Sequence, residues 1–260
     1  MFLPLHDRVP RILIARPWIT WAIILACVVV FWHEAGDAAI ERLFYGYGLI
    51  PASLTGQAEL PPVFYRVPAP LTLLTHLFLH GSLMHLLGNM LYLWVFGDNV
   101  EDAMGHRRFL LFYLLCGIAA GLTQVVFAPD SRIPTLGASG AISGVLGAYL
   151  LLYPRAKVLV PIIVFPVYLP AWLLLIAWFG FQLLAATAPE AAATGVAWWA
   201  HVGGFVAGLL LVVPLRYATV PLFGGGQSPA GIRLKRRAAP GEGRDDRHRR
   251  EGRRRGPWEG

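Results

Sequence analysis

Ser139 stands in Gly137-Ala138-Ser139-Gly140 at the entrance to an apolar run, and His201 lies inside a later apolar run whose glycines fall at a four-residue spacing. A hydroxyl is a poor nucleophile until a base takes its proton, and imidazole is the commonest such base. Polar groups at membrane depth are costly and tend to be retained for function. The two residues therefore point to a serine hydrolase working inside a bilayer.

The neighbouring residues extend that reading. Gly137 and Gly140 let the backbone turn and approach closely, and a helix starting near Ser139 offers free backbone N–H groups to a developing oxyanion. Gly140 and Gly144, like Gly204 and Gly208, are four residues apart, a spacing that lets two helices cross in close contact and bring imidazole to hydroxyl. His85 and Asn89 share a helix face. They are either further oxyanion donors or polar glue between helices. His80 cannot share that face, so a helix start at Gly81-Ser82 is expected, with His80 in the loop before it. His76 and His80 have no carboxylate beside them, so no metal site is expected. Asp98 and Glu101 fall at the far end of their helix, which leaves the hydroxyl and imidazole as a dyad without an acidic third member.

Positioning such groups requires a membrane scaffold. The chain has 260 residues, 56% hydrophobic and 14% charged, with mean hydropathy +0.56, a balance suited to a polytopic membrane protein. Apolar runs occur at Ile14–Trp32, Leu71–Phe96, Phe109–Ala128, Ile133–Tyr153, Val158–Ala186 and Ala192–Leu215, and predict an all-α protein with six transmembrane helices. The fifth run contains Pro161, Pro166 and Pro170, so Val158–Val167 is expected as an approach segment, with the helix opening near Pro170. From Ser139 to Tyr153 a helix spans only ~22 Å, short of a ~30 Å hydrocarbon core. The connection Asp130–Ala138 must then dip inward and frame a water-filled recess. Helix six, entering near Gly195, puts His201 ~9 Å below that end, at a depth similar to Ser139. The first run is longer than a signal-peptide core and lacks a small-residue cleavage site, so it is expected to be a retained helix.

Arg8, Arg11, Arg16, Arg107, Arg108, Arg155, Lys157 and Arg216 fall on one side of these spans and Arg42, Arg66 and Arg132 on the other, which predicts both termini in the cytoplasm. The expected organisation is an N-terminal segment 1–13, a membrane domain 14–216 and a basic tail 217–260. From Ile232 onward there are 11 Lys/Arg against 5 Asp/Glu. The net charge of +7 therefore belongs mostly to the tail, which is expected to be disordered and drawn to anionic lipid rather than to nucleic acid. Cys27 and Cys116 lie within apolar runs and act as small hydrophobes. No CxxC, phosphate-binding loop or HExxH helix is present, and no cofactor is expected.

Three motifs in order resemble those of the rhomboid intramembrane serine proteases: His80-Gly-Ser-Leu-Met-His85-Leu-Leu-Gly-Asn89, Gly137-Ala138-Ser139-Gly140, and Ala200-His201-Val-Gly-Gly204-Phe-Val-Ala-Gly208. The resemblance runs from about His76 to Gly208. It implies a rhomboid-like bundle with a short fourth helix, Ser139 as nucleophile, His201 as general base and then acid, and His85, Asn89 and the Ser139 N–H as oxyanion donors. It further implies structural roles for Glu101 and His80, and substrates that are transmembrane helices of other proteins, cut near their outer ends. Such a helix must unwind into the recess before a carbonyl is reachable, and gating is expected at the fifth helix and the loop Ala186–Gly195. Two departures stand out. Ser143 occupies the place, one turn after the nucleophile, where similar members often carry an aromatic residue packed on the histidine. Tyr65-Arg66 stands in for a Trp-Arg interface anchor in the first loop.

The competing class is an inactive rhomboid-like protein that binds client helices, favoured by loss of Ser139 or His201; both are present. A transporter would need acidic partners near the midplane and repeat symmetry, and neither is visible. The Ala-, Gly- and Arg-rich composition suggests a bacterial inner membrane.

Overall fold

The computed structural model of the chain describes residues 2–35, 40–162, 165–189 and 194–224. The basic tail beyond 224 and part of the Ala186–Gly195 loop lie outside them. In chain order the elements are β1 (His6–Asp7), α1 (Trp18–Ala35), α2 (Ile40–Tyr47), α3 (Pro51–Leu54), a 3-10 turn (Ala69–Leu71), α4 (Thr72–Thr75), a second 3-10 turn (His76–Phe78), α5 (Leu83–Met104), α6 (His106–Phe127), α7 (Ser139–Leu152), β2 (Lys157–Ile162), β3 (Phe165–Pro170), α8 (Ala171–Thr187) and α9 (Trp198–Leu215).

The protein is mostly helical. By length and composition, α6 and α9 can each cross a membrane, and Ala69–Phe78 together with α5 makes a third candidate span, bent by 81°. Trp18–His33, α7 and α8 are shorter apolar helices. The expected run Leu71–Phe96 is thus not one helix. It breaks before Ser82, which caps α5 by accepting from the His85 N–H at 3.1 Å, leaving His80 in the preceding loop. The fifth run also departs from expectation. α8 opens directly after Pro170, but the approach segment is a β-hairpin, β2 pairing antiparallel with β3 from Lys157↔Pro170 to Ile162↔Phe165, and β1 adds a third strand at His6↔Leu159. An all-α fold is therefore corrected to a helical bundle with a small sheet. The β-branched and aromatic residues around Pro161 and Pro166 favour extended backbone, and a proline can sit on a sheet where no ladder hydrogen bond is needed.

Tight packing joins α7, α6 and α9 around Tyr113, Tyr149, Phe96, Phe109, Phe112 and Phe205, all fully buried. The α7–α9 contact is backbone on backbone. A Cβ built on Gly204 would strike the Gly140 carbonyl oxygen, and one on Gly208 the Gly144 carbonyl oxygen. Small residues are needed there because neither partner is a side chain that can swing aside.

At the end of the bundle opposite Ser139, the N-terminal segment is tied to α5. The Asp102 carboxylate accepts from the N–H groups of Ile12, Leu13 and Ile14 at 2.9, 2.7 and 2.7 Å. Glu101, fully buried, accepts from the Ile19 and Thr20 N–H groups at 3.0 and 2.8 Å and from Thr20 Oγ1 at 2.7 Å. Those N–H groups open α1 and have no intrahelical partner, so a carboxylate from another helix does the work of an N-cap. Asp7 is nearly buried and accepts from Asn99 Nδ2 at 2.7 Å and Tyr149 Oη at 2.5 Å.

Burial is the main cause that pushes the Asp7 carboxyl from 3.8 up to about 7; Asp98 adds to the rise, while Tyr149 and Arg11 oppose it. Because the folded state holds this proton more tightly than the unfolded chain, its stabilisation is full below the unfolded value and is lost as pH rises through about 7. Thermal unfolding in detergent should show wild type losing stability relative to Asp7→Asn between about pH 4 and about pH 7; equal slopes would refute it. Gly208→Ala should cost about 1–3 kcal/mol by overpacking. Gly180→Ala, whose Cβ meets nothing within 4 Å, should be neutral or stabilise by up to about 1 kcal/mol.

Candidate functional site

Ser139 is the first residue of α7 and is half-buried. The residue that turns the chain into it is Gly137, at φ +113°, a conformation that L side chains rarely adopt. The turn is pinned on two sides. The Gly137 N–H donates to the His76 carbonyl at 2.9 Å, and Leu49 and Thr135 exchange backbone hydrogen bonds of 3.1 and 2.8 Å. The turn is thereby held from both sides.

His201 lies in the first turn of α9, which begins at Trp198 and not near Gly195 as the sequence suggested; residues 194–197 form an irregular entry. The α7–α9 crossing brings the ring to the serine, and Ser139 Oγ stands 2.9 Å from His201 Nε2. On its other side His201 Nδ1 is 2.8 Å from Gln182 Oε1. Two indoles flank the ring, Trp178 at 6.1 Å between centroids and tilted by 38°, and Trp198 at 6.1 Å and perpendicular.

Ser143 takes no part in holding the histidine. It is buried and its Oγ donates to the Ser139 carbonyl at 2.6 Å. The imidazole is held from α8 and from its own helix, and sequence analysis had overlooked both Gln182 and Trp178. A signal for Gln182 was there: it is the one amide in the apolar helix Ala171–Thr187, and a polar group in such a setting is a functional candidate.

His85 and Asn89 sit one turn apart on α5 and face the same turn. A Cβ on Gly137 would lie 2.7 Å from His85 Cε1 and Nε2 and 3.5 Å from Asn89 Nδ2. Asn89 is buried, and its Nδ2 has no protein hydrogen-bond partner among the described residues. His80 is fully buried, its Nδ1 directed to the Phe78 carbonyl at 3.2 Å and its ring edge-on to His85 at 5.2 Å. His76 Nδ1 donates to the Thr72 carbonyl at 2.7 Å. Among the described residues no cluster of His, Cys, Asp or Glu could hold a metal ion. Glu101 is remote, at the opposite end of α5. Gly140 and Gly144 face Ala120 and Cys116 of α6, and Gly204 and Gly208 face the α7 backbone. Tyr65 is exposed in the first loop, and Arg66 donates to the Val63 and Tyr65 carbonyls at 3.2 and 2.9 Å.

These groups open onto a cavity of about 820 Å³ lined by Ser139, His201, His85, Asn89, Tyr92 and Trp178 among others. Its volume falls within the range of ligand pockets, and its polar groups converge at the serine.

A Rhomboid domain model matches residues 68–218, which contain every group described at the cavity. The chain is 35% identical over 153 residues to mitochondrial Rhomboid protein 1 of Saccharomyces cerevisiae, covering 55% of this chain and 41% of that protein. It is 36% identical over 137 residues to Rhomboid protease GluP of Bacillus subtilis, covering 52% of this chain and 24% of that protein. With Presenilin-associated rhomboid-like protein A, mitochondrial, of Danio rerio it shares 39% identity over 93 residues, 34% of this chain and 24% of the other. The chain thus spans less than half the length of these relatives.

The geometry at Gly137 can be checked without any assay of activity. Gly137→Ala should destabilise by about 1–3 kcal/mol through backbone strain and the clash with His85. Combined with His85→Ala it should cost about 1 kcal/mol less than the sum of the single changes, and additivity would show that the two do not touch.

Proposed function

The chain belongs to the rhomboid family, and from that premise we propose that it is an intramembrane serine endopeptidase that hydrolyses peptide bonds in or near transmembrane helices of other membrane proteins. The observation that carries this reading is the 2.9 Å contact between Ser139 Oγ and His201 Nε2, since an imidazole nitrogen within hydrogen-bond reach activates the hydroxyl.

In the proposed reaction His201 Nε2 takes the Ser139 proton as Oγ attacks the scissile carbonyl carbon. Negative charge then develops on the carbonyl oxygen. The Ser139 N–H, free at the start of α7, the otherwise unpartnered Asn89 Nδ2 and the His85 ring stand around Gly137 as its donors, and preorganised donors of this kind are worth most where water is sparse. The imidazolium next returns its proton to the leaving amine, which leaves an acyl group on Ser139. A water molecule, deprotonated by the same imidazole, releases it.

The protein is an integral membrane protein, and α1, α5, α6, α7, α8 and α9 are proposed as its six membrane crossings, with α7 as the short fourth one. The basic residues that flank these helices support an orientation with both termini in the cytoplasm and the cavity open to the outer face, and a bacterial inner membrane is proposed as the location. A substrate helix must expose its backbone before cleavage, because a peptide bond inside an intact helix is already hydrogen-bonded. Entry beside α8 and the Ala186–Gly195 loop is proposed, and the basic tail is proposed to rest on anionic lipid. Residues 190–193 and the tail beyond 224 lie outside the described structure.

A fluorescent fluorophosphonate should label the detergent-purified protein, and both Ser139→Ala and His201→Ala should abolish labelling. Asn89→Ala should lower kcat on a transmembrane peptide by roughly 10²- to 10³-fold with labelling retained in part. A folded wild type that neither labels nor cleaves would replace this reading with that of a rhomboid-like binder of client helices.

A further inference from the structure

The His201 ring has both nitrogens engaged among the described residues, one by Ser139 and the other by Gln182. Gln182 is 2% exposed and lies on α8 one turn beyond Trp178, which packs on the same ring. A buried amide in an apolar helix is costly unless it is hydrogen-bonded, and its oxygen points at His201 Nδ1 over 2.8 Å. A carbonyl oxygen accepts only, so Nδ1 must carry the proton. A neutral imidazole carries one N–H, which leaves Nε2 with its lone pair directed at the Ser139 hydroxyl.

We propose that Gln182 is a positioning residue that locks His201 in the tautomer with Nδ1–H and a free Nε2, doing with a neutral amide what a carboxylate does in a three-membered catalytic set. The inference rests on the protease reading for its kinetic consequence, but not for the tautomer itself. A neutral partner suits this place. A carboxylate at the same depth would add a buried charge needing its own compensation, whereas an amide oxygen orients the ring in the resting state without one. When Nε2 takes the serine proton, the Nδ1–H stays with Gln182 and the amide gains no proton. Trp178 and Trp198 restrict the tilt of the ring, and Gln182 fixes which edge faces the serine.

The test uses the full chain in detergent, 15N-labelled in histidine, with the His201 signals assigned by comparison with His201→Gln. Wild type should show His201 protonated at Nδ1 and unprotonated at Nε2. Gln182→Leu should lose that preference, and its kcat on a transmembrane peptide should fall by roughly 10- to 100-fold, within what a general base contributes, with KM and thermal unfolding unchanged. Gln182→Glu, which retains an acceptor oxygen, should keep the Nδ1–H tautomer and restore most of the loss. Protonation of Nε2 in the wild type would overturn the proposal, because the amide would then be donating to Nδ1. So would a Gln182→Leu protein with the wild-type tautomer and kcat, or a Gln182→Glu protein as impaired as Gln182→Leu. If wild type neither labels nor cleaves, the protease reading fails, and the tautomer and its response to Gln182→Leu still decide the positioning role.

Discussion

Two helices that meet at backbone distance are the condition on which the site depends. Ser139 and His201 lie on α7 and α9, 62 residues apart in sequence, and a 2.9 Å hydrogen bond between them survives only if the helix axes hold their separation closely. That separation is set by Gly204 against the Gly140 carbonyl and Gly208 against the Gly144 carbonyl, where any side chain would wedge the helices apart. Close packing of this kind transmits small displacements instead of absorbing them. The same crossing buries Phe205 beside Trp178 at 6.0 Å, so α8 is drawn against α9 and delivers Gln182 to the ring.

The second requirement is that every break in a helix finds partners for its backbone, because an apolar surround offers no water to satisfy them. The chain meets it with side chains remote in sequence. Glu101 caps α1 across 81 residues or more, and Asp102 gathers the N–H groups of residues 12–14. Before Ser139, the Leu49–Thr135 pair and the Gly137 N–H to His76 carbonyl bond secure the irregular entry. The N-terminal segment continues this bracing as far as Phe2, whose carbonyl accepts from Tyr92 Oη, a residue that also lines the cavity. One side chain at the cavity, Tyr92, is therefore held by the N-terminal segment.

Much of the architecture was legible in residue types and spacing. The glycine pairs at four-residue intervals specify which helix faces can touch, and Ser82 marks the start of α5 through its capping hydroxyl. Where sequence reasoning fell short, the signal was weak or nonlocal. The hairpin β2–β3 lay inside an apolar run that also reads as the approach to a helix, since short apolar stretches do not distinguish the two by periodicity. The start of α9 was displaced from Gly195 to Trp198 because element boundaries depend on local hydrogen bonding that composition does not encode. Gln182 went unnoticed because a lone amide announces no chemistry until its partner is known.

What the sequence by itself determined is the solvent the chain must live in, the apolar runs that become its helices, and the residue types able to do acyl-transfer chemistry, because these follow from composition, period and local backbone preference. The tertiary structure alone decided that Ser139 meets His201, that Asn89 and His85 face Gly137, and that Gln182 rather than an acid or Ser143 holds the imidazole. Those outcomes are distances between segments far apart along the chain, fixed by how whole helices pack and not by any preference of the residues themselves.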